Sequence, residues 1–262
     1  MKLPIYQVDA FTDHRFGGNP AAVCPLEKWP SDKEMQNIAA ENNLSETAFF
    51  KQTGDSFHLR WFTPSTEVEL CGHATLATAH VLFNEMGYSK EEIAFDTLSG
   101  RLTVKRSGYG LTMNFPVSVV EKVHAPAILF EALGLPPMEE NVYKSDDYLI
   151  ELGSEQEVVD LNPDFRLLKE VDARGVIVTA PGDEVDFVSR FFAPQSGVDE
   201  DPVTGSAHTK SAPYWAKKLD KNELKARQVS HRAGELHCVV KGDRVEISGK
   251  VITFMRGEIE IA

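Results

Sequence analysis

The stretch "CGHATLATAHVLFNEMG", residues 71–87, decides the fold. From Leu70 to Asn84 it carries no formal charge, and small residues recur all round the helical wheel. A helix without a polar face must be buried on every side. This one is too short to span a membrane, and Gly87 is a natural stop. The segment therefore predicts a helix at the centre of a sheet.

Working outward, the residues before it recur later in the chain. "RWFTPSTEVELCGHA" (60–74) matches "RFFAPQSGVDEDPVTGSA" (190–207). Arg60, Phe62 and Pro64 answer Arg190, Phe192 and Pro194; Gly72 and Ala74 answer Gly205 and Ala207, after three extra residues in the second copy. Each copy reads strand, loop, Gly-x-Ala, helix. The repeat predicts two halves, residues 1–116 and 117–249, with a last strand near 250–262 returning to the first.

Other elements are signalled locally. Ser31 and Glu34 form a capping box ahead of the apolar stripe Met35, Ile38 and Ala39. That helix should end near Asn42 and Asn43. Glu46 follows at once, at the mouth of the apolar run Ala48, Phe49 and Phe50, where a carboxylate is costly without a partner or a purpose. Strands are expected at "DYLIEL", "GVIVTA" and "DFVSRFF", and a meander late in the chain.

The formal charge of −13 disfavours a phosphate-binding surface, so no nucleic-acid partner is expected. No apolar run is long enough for a membrane helix, and "MKLPIYQVDAF" lacks the core of a signal peptide; a cytoplasmic protein is expected. The three cysteines, Cys24, Cys71 and Cys238, show no CxxC, and no metal site is expected. The acidic run "MEENVYKSDDYLIELGSEQEVVDLNPDF" (138–165) reads as a solvated face.

The matched glycines open two helix N-termini, at Gly72-His73 and Gly205-Ser206. Free N–H groups and the helix dipole suit such termini to a carboxylate. Taken singly, His73 could be a core histidine, Asp201 a turn residue before Pro202, and Ser206 a helix cap.

Together these segments resemble the phenazine-biosynthesis PhzF-like family. "YQVDAFTDHRFGGNPAAVC", "NLSETAFF", "RWFTPSTEVELCGHATLATAHVLF", "FDTLSGRLTV", "EDPVTGSAH" and "HRAGELHC" carry the likeness across essentially the whole chain. The resemblance implies a diaminopimelate-epimerase-like α+β fold. That fold has two pseudo-symmetric halves, each a curved, mostly antiparallel, barrel-like sheet around a central helix, with the active site between them. It implies a homodimer, no cofactor, and a small carboxylate-bearing substrate. The characterised family reaction is isomerisation of trans-2,3-dihydro-3-hydroxyanthranilate. By the same resemblance Glu46, His73 and Asp201 are the catalytic residues, and Ser45, Gly72, Gly205 and Ser206 bind substrate.

Two other readings compete: a catalytically idle carboxylate-binding protein, and a racemase or epimerase built on Cys71. The related epimerases place a cysteine at the start of each central helix. Here Cys71 fills the first position and Thr204 the second. Lys210 and Pro213 also stand out in the second helix, since a proline inside a helix removes a hydrogen bond.

Overall fold

The computed structural model describes residues 2–138 and 140–261. The chain divides into two compact units: one runs to Asn114 and takes in the chain from Ser248 on, and the other is Phe115–Ile247.

In the first unit, helix α1 (Asp32–Asn42) starts with the expected capping box. The Glu34 amide donates to Ser31 Oγ at 3.3 Å, and the Ser31 amide donates to the Glu34 carboxylate at 2.9 Å. Asn43 closes it in the left-handed conformation. The sheet runs in the order Val251–Glu260, Lys2–Ala10, Asn19–Pro25, Glu46–Thr53, Ser56–Phe62, Glu92–Thr97, Gly100–Ser107, Gly110–Pro116. One face packs on α1, through Leu3, Ala22, Cys24, Phe49 and Phe62 around Met35 and Ile38. The other holds helix α2 (Gly72–His80), in which every residue from His73 to His80 is buried. Strands from both parts of the order, 251–260 and 100–107, touch α2. The sheet thus curls around the uncharged helix, and it does so without closing into a barrel. A π-helical turn, Val81–Glu85, prolongs α2.

The second unit repeats this plan. Its sheet runs Val142–Lys144, Asp147–Glu151, Gly175–Pro181, Phe187–Ala193, Glu223–Gln228, Gly234–Lys241. Successive pairings are antiparallel, parallel, antiparallel, parallel, antiparallel. The first unit shows the same alternation from Lys2–Ala10 to Gly100–Ser107. Helices α3 (Ala127–Leu133), α4 (Glu155–Val159) and α5 (Phe165–Leu168) pack on one face, over Val176, Val178 and Phe192. Helix α6 (Gly205–Leu219) takes the other, with Ala207 against Leu149, Ile177 and Phe191.

The repeat extends to side chains. Arg60 grips Glu67 with two parallel bonds of 2.7 Å, and Arg190 grips Glu200 at 2.7 and 2.9 Å. Each guanidinium lies over the phenylalanine two residues on, Phe62 or Phe192. Such forked pairs are the strong class of ion pair. Each ties the strand to the loop that leads into its unit's central helix.

The two departures in α6 resolve within its own unit. Lys210 is buried and bonds Asp146 at 3.0 Å and Asp147 at 2.9 Å. Pro213 has no N–H to give the Thr209 carbonyl, which instead accepts from the Ser118 amide at 3.0 Å. These contacts also correct the solvated-face reading of residues 138–165. Asp147 and Glu151 are buried, because Arg174 and Lys210 meet the first and Tyr214 and Lys218 the second. Glu139, in the same run, lies outside the described residues.

Candidate active site

Glu46 opens the strand Glu46–Thr53, on the face that looks toward α2, where Ala48 follows it. His73 is the second residue of α2. This geometry brings Glu46 Oε2 within 3.1 Å of His73 Nε2. Both atoms are sealed from solvent, and the pair lacks the alignment of a full hydrogen bond; neither atom has another partner. The imidazole's other nitrogen, Nδ1, meets Cys71 Sγ at 3.6 Å. One donor atom from each of the three groups lies within 4.8 Å of the other two, so thiol, imidazole and carboxylate converge.

Their protonation follows from this closeness. Burial, and then the facing Glu46 carboxylate, push the Cys71 thiol up to about 11. Burial works against a charged His73, but the charges of its neighbours Cys71 and Glu46 and the hydrogen bond to Cys71 outweigh it. His73 is held well above its ordinary value. With the thiol protonated, Glu46 is the lasting source of that pull.

Glu46, Cys71 and His73 are also the one cluster of three metal-ligating side chains among the described residues. Its three donors come from two elements, the start of the strand Glu46–Thr53 and the start of α2. The imidazole offers Nδ1 to the sulfur and Nε2 to the carboxylate. An ion would need only one of these nitrogens, and one donor atom from each of the three side chains lies within 4.8 Å of the others; three ligands are one short of the four of a closed structural zinc site.

The remaining first-unit residues frame this cluster. Ser45 immediately precedes Glu46. Gly72 is the first residue of α2, and Cys71 caps the helix without a side-chain bond.

In the second unit, Asp201 accepts a 2.5 Å hydrogen bond from the Thr204 hydroxyl. Gln228 ties the loop together: its amide donates to the Asp201 carbonyl at 2.6 Å and its oxygen accepts from the Thr204 amide at 2.9 Å. Gly205 and Ser206 begin α6. Ser206 Oγ accepts from Arg174 Nη1 at 3.1 Å. Sequence reasoning missed both Gln228 and Arg174. Aligning "LSETAFF" with "ARGVIVT" by strand start would have exposed Arg174.

A curled sheet around a buried helix, repeated with the same strand pairings, is the fold of PhzF-family proteins and epimerases, and the relatives of this chain are isomerases. The model of the phenazine biosynthesis-like protein family matches residues 8–257, and the chain belongs to that family. An uncharacterized isomerase of Pseudomonas aeruginosa is 52% identical over 261 residues, covering 100% of both chains. The crystal structure of a PhzF-family protein from Enterococcus faecalis is 48% identical, covers 100% of both chains and superposes with a TM-score of 0.96. A predicted epimerase of Pseudomonas aeruginosa, 21% identical over 99% of this chain and 100% of its own, shares the fold with a TM-score of 0.76. Among the described residues no helix is long and apolar enough to cross a membrane.

Proposed function

We propose that the protein is a cofactor-independent isomerase that moves a proton on a small carboxylate-bearing substrate, with Glu46 as the carrier. The observation that carries this reading is the Glu46–His73 contact: two buried polar atoms 3.1 Å apart, each without another partner. A carboxylate so placed is costly unless it works. Glu46 takes a proton from a carbon of the substrate, the electron pair moves into the conjugated system, and the same carboxyl returns the proton to a second carbon. His73, positively charged, holds the Glu46 side chain in place and helps the tautomeric step.

Ser45 and Gly72 serve the substrate carboxylate in this reading. The family resemblance gives Asp201 a share in the tautomeric steps and Gly205 and Ser206 a share in binding. It also brings a homodimer and a cytoplasmic setting. Solution mass against the 29.1 kDa chain and cell fractionation test these two.

A second reading draws support from the Cys71–His73 contact, which a thiol-dependent racemase would need. The high Cys71 value and the absence of a thiol at Thr204 argue against it. A D₂O exchange screen of cyclohexadiene carboxylates and amino acids separates the two. Deuterium incorporation should fall about 10²–10⁴-fold in Glu46→Gln and persist in Cys71→Ala. The reverse pattern would hand the chemistry to the thiol.

A further inference from the structure

The strand registers place the two units in alignment residue by residue. Thr47 pairs with Phe62 and Ala48 with Trp61; Val176 pairs with Phe192 and Ile177 with Phe191. Since Phe62 answers Phe192 in the repeat, Glu46 answers Gly175 and Ser45 answers Arg174. Their parallel neighbours agree, because Glu46 pairs with Ala21 and Gly175 with Asp147. On the helices, His73 answers Ser206. Where the first unit sets a carboxylate against an imidazole, the second sets a guanidinium against a hydroxyl.

The second unit holds Arg174 firmly at that position. Asp147, fully buried, takes its Nε at 2.9 Å and also its Nη2. Asp146 lies 3.2 Å from Nε. The ring of Phe191 lies 5.3 Å from the guanidinium carbon. Lys210 bonds both aspartates, so two cations balance two carboxylates before any ligand arrives. Only Nη1 faces a neutral partner, Ser206 Oγ, and that contact is open to solvent. The side chain of Arg174 is 39% exposed although three of its neighbours pin it. A guanidinium with a fixed plane and one wet edge is preorganised for an oxyanion.

We propose that Arg174 is an anion-binding residue of the second unit whose Nη1, together with Ser206 Oγ, takes a carboxylate. The proposal goes beyond the isomerase reading and stands on the second unit's own geometry. It predicts preference for anionic over neutral ring compounds, and a planar two-oxygen group over a single charge point. Asp147 and Lys210 act as positioning residues that set the guanidinium plane.

The test uses the intact protein and benzoate as probe, with benzamide as its neutral counterpart. Benzoate titrated into the wild type should shift the ¹⁵N resonances of the Arg174 side chain, and benzamide should not. Arg174→Gln should weaken benzoate binding by about tenfold or more, and Arg174→Lys should recover only part of the loss, since an ammonium lacks the fork. Should Arg174→Gln fail to fold, with Asp147 left to Lys210 alone, the wild-type ¹⁵N titration decides by itself. Unshifted Arg174 resonances on saturation, undiminished affinity in a folded Arg174→Gln, or no benzoate binding at all would overturn the proposal and leave Arg174 as a counter-charge for Asp147. If binding depends on Arg174 but no compound exchanges deuterium, the anion site stands and the isomerase reading fails.

Discussion

Thr75 and His208 occupy the same turn of the two central helices and make the same bond. Thr75 Oγ1 donates to the Cys71 carbonyl at 2.5 Å, and His208 Nδ1 donates to the Thr204 carbonyl at 2.8 Å. One turn on, Thr78 and Ser211 repeat the pattern toward Ala74 and Ala207. In each unit a polar side chain can sit on a buried helix because the backbone four residues back receives its proton.

That bond fixes the His208 tautomer, with the proton on Nδ1 and Nε2 bare in the core. Burial then lowers His208 to about 4, and burial likewise lowers His80 to about 4. Both should remain neutral at pH 5 in an imidazole NMR titration, while His73 should still be charged at pH 7. The linked stabilities have opposite signs. What His80 and His208 contribute is present above their unfolded value and lost as pH falls toward 4. What His73 contributes is present below its unfolded value and lost as pH rises through its raised folded value. Urea midpoints should therefore drop on acidification below about 6.5, and His208→Gln should flatten that drop.

Cys71 should alkylate slowly. With its thiol near 11, the thiolate is a minor species at neutral pH, and the sulfur is buried. Iodoacetamide labelling at pH 7, followed by peptide mass, should trail that of a free thiol by roughly an order of magnitude or more. Rapid labelling would show a thiolate activated by His73.

Arg190→Met should destabilise more than Arg60→Met. Both lose a forked ion pair, worth roughly 3–5 kcal/mol when one partner of a buried pair is removed. Arg190 also donates to the carbonyls of Val158, Val159 and Leu161, which its loss leaves without that donor. Chemical denaturation should separate the two variants by about 1–3 kcal/mol.

Gly175→Ala should cost about 1–3 kcal/mol. A methyl group there would come within 2.4 Å of the Phe191 ring and 3.0 Å of the Phe192 carbonyl oxygen. A thermal melt reads the loss. Unchanged stability would mean that Phe191 turns aside freely.

Much of this was legible in the chain. The missing polar face of residues 70–84 announced the buried helix, and the capping box at Ser31 announced α1. The matched Arg, Phe and Gly-x-Ala positions announced the duplication. The hidden parts depend on pairing between distant strands. Asp147 reads as one more acid in an acidic run until the parallel pairing of Asp147 with Gly175 sets it beside Arg174. Gln228 lies 24 residues beyond the Thr204 amide that it holds. The partner of Glu46 was invisible for the same reason, since spacing along a chain does not say which helix start faces a strand mouth.

The Phe191 ring at the Glu46-equivalent position has a consequence for redesign. A glutamate placed at Gly175 would bring its first side-chain carbon within 2.4 Å of that ring, so one substitution cannot give the second unit the acid that the first unit carries. The two units are not interchangeable, and a variant meant to mirror Glu46 in the second needs the ring trimmed as well.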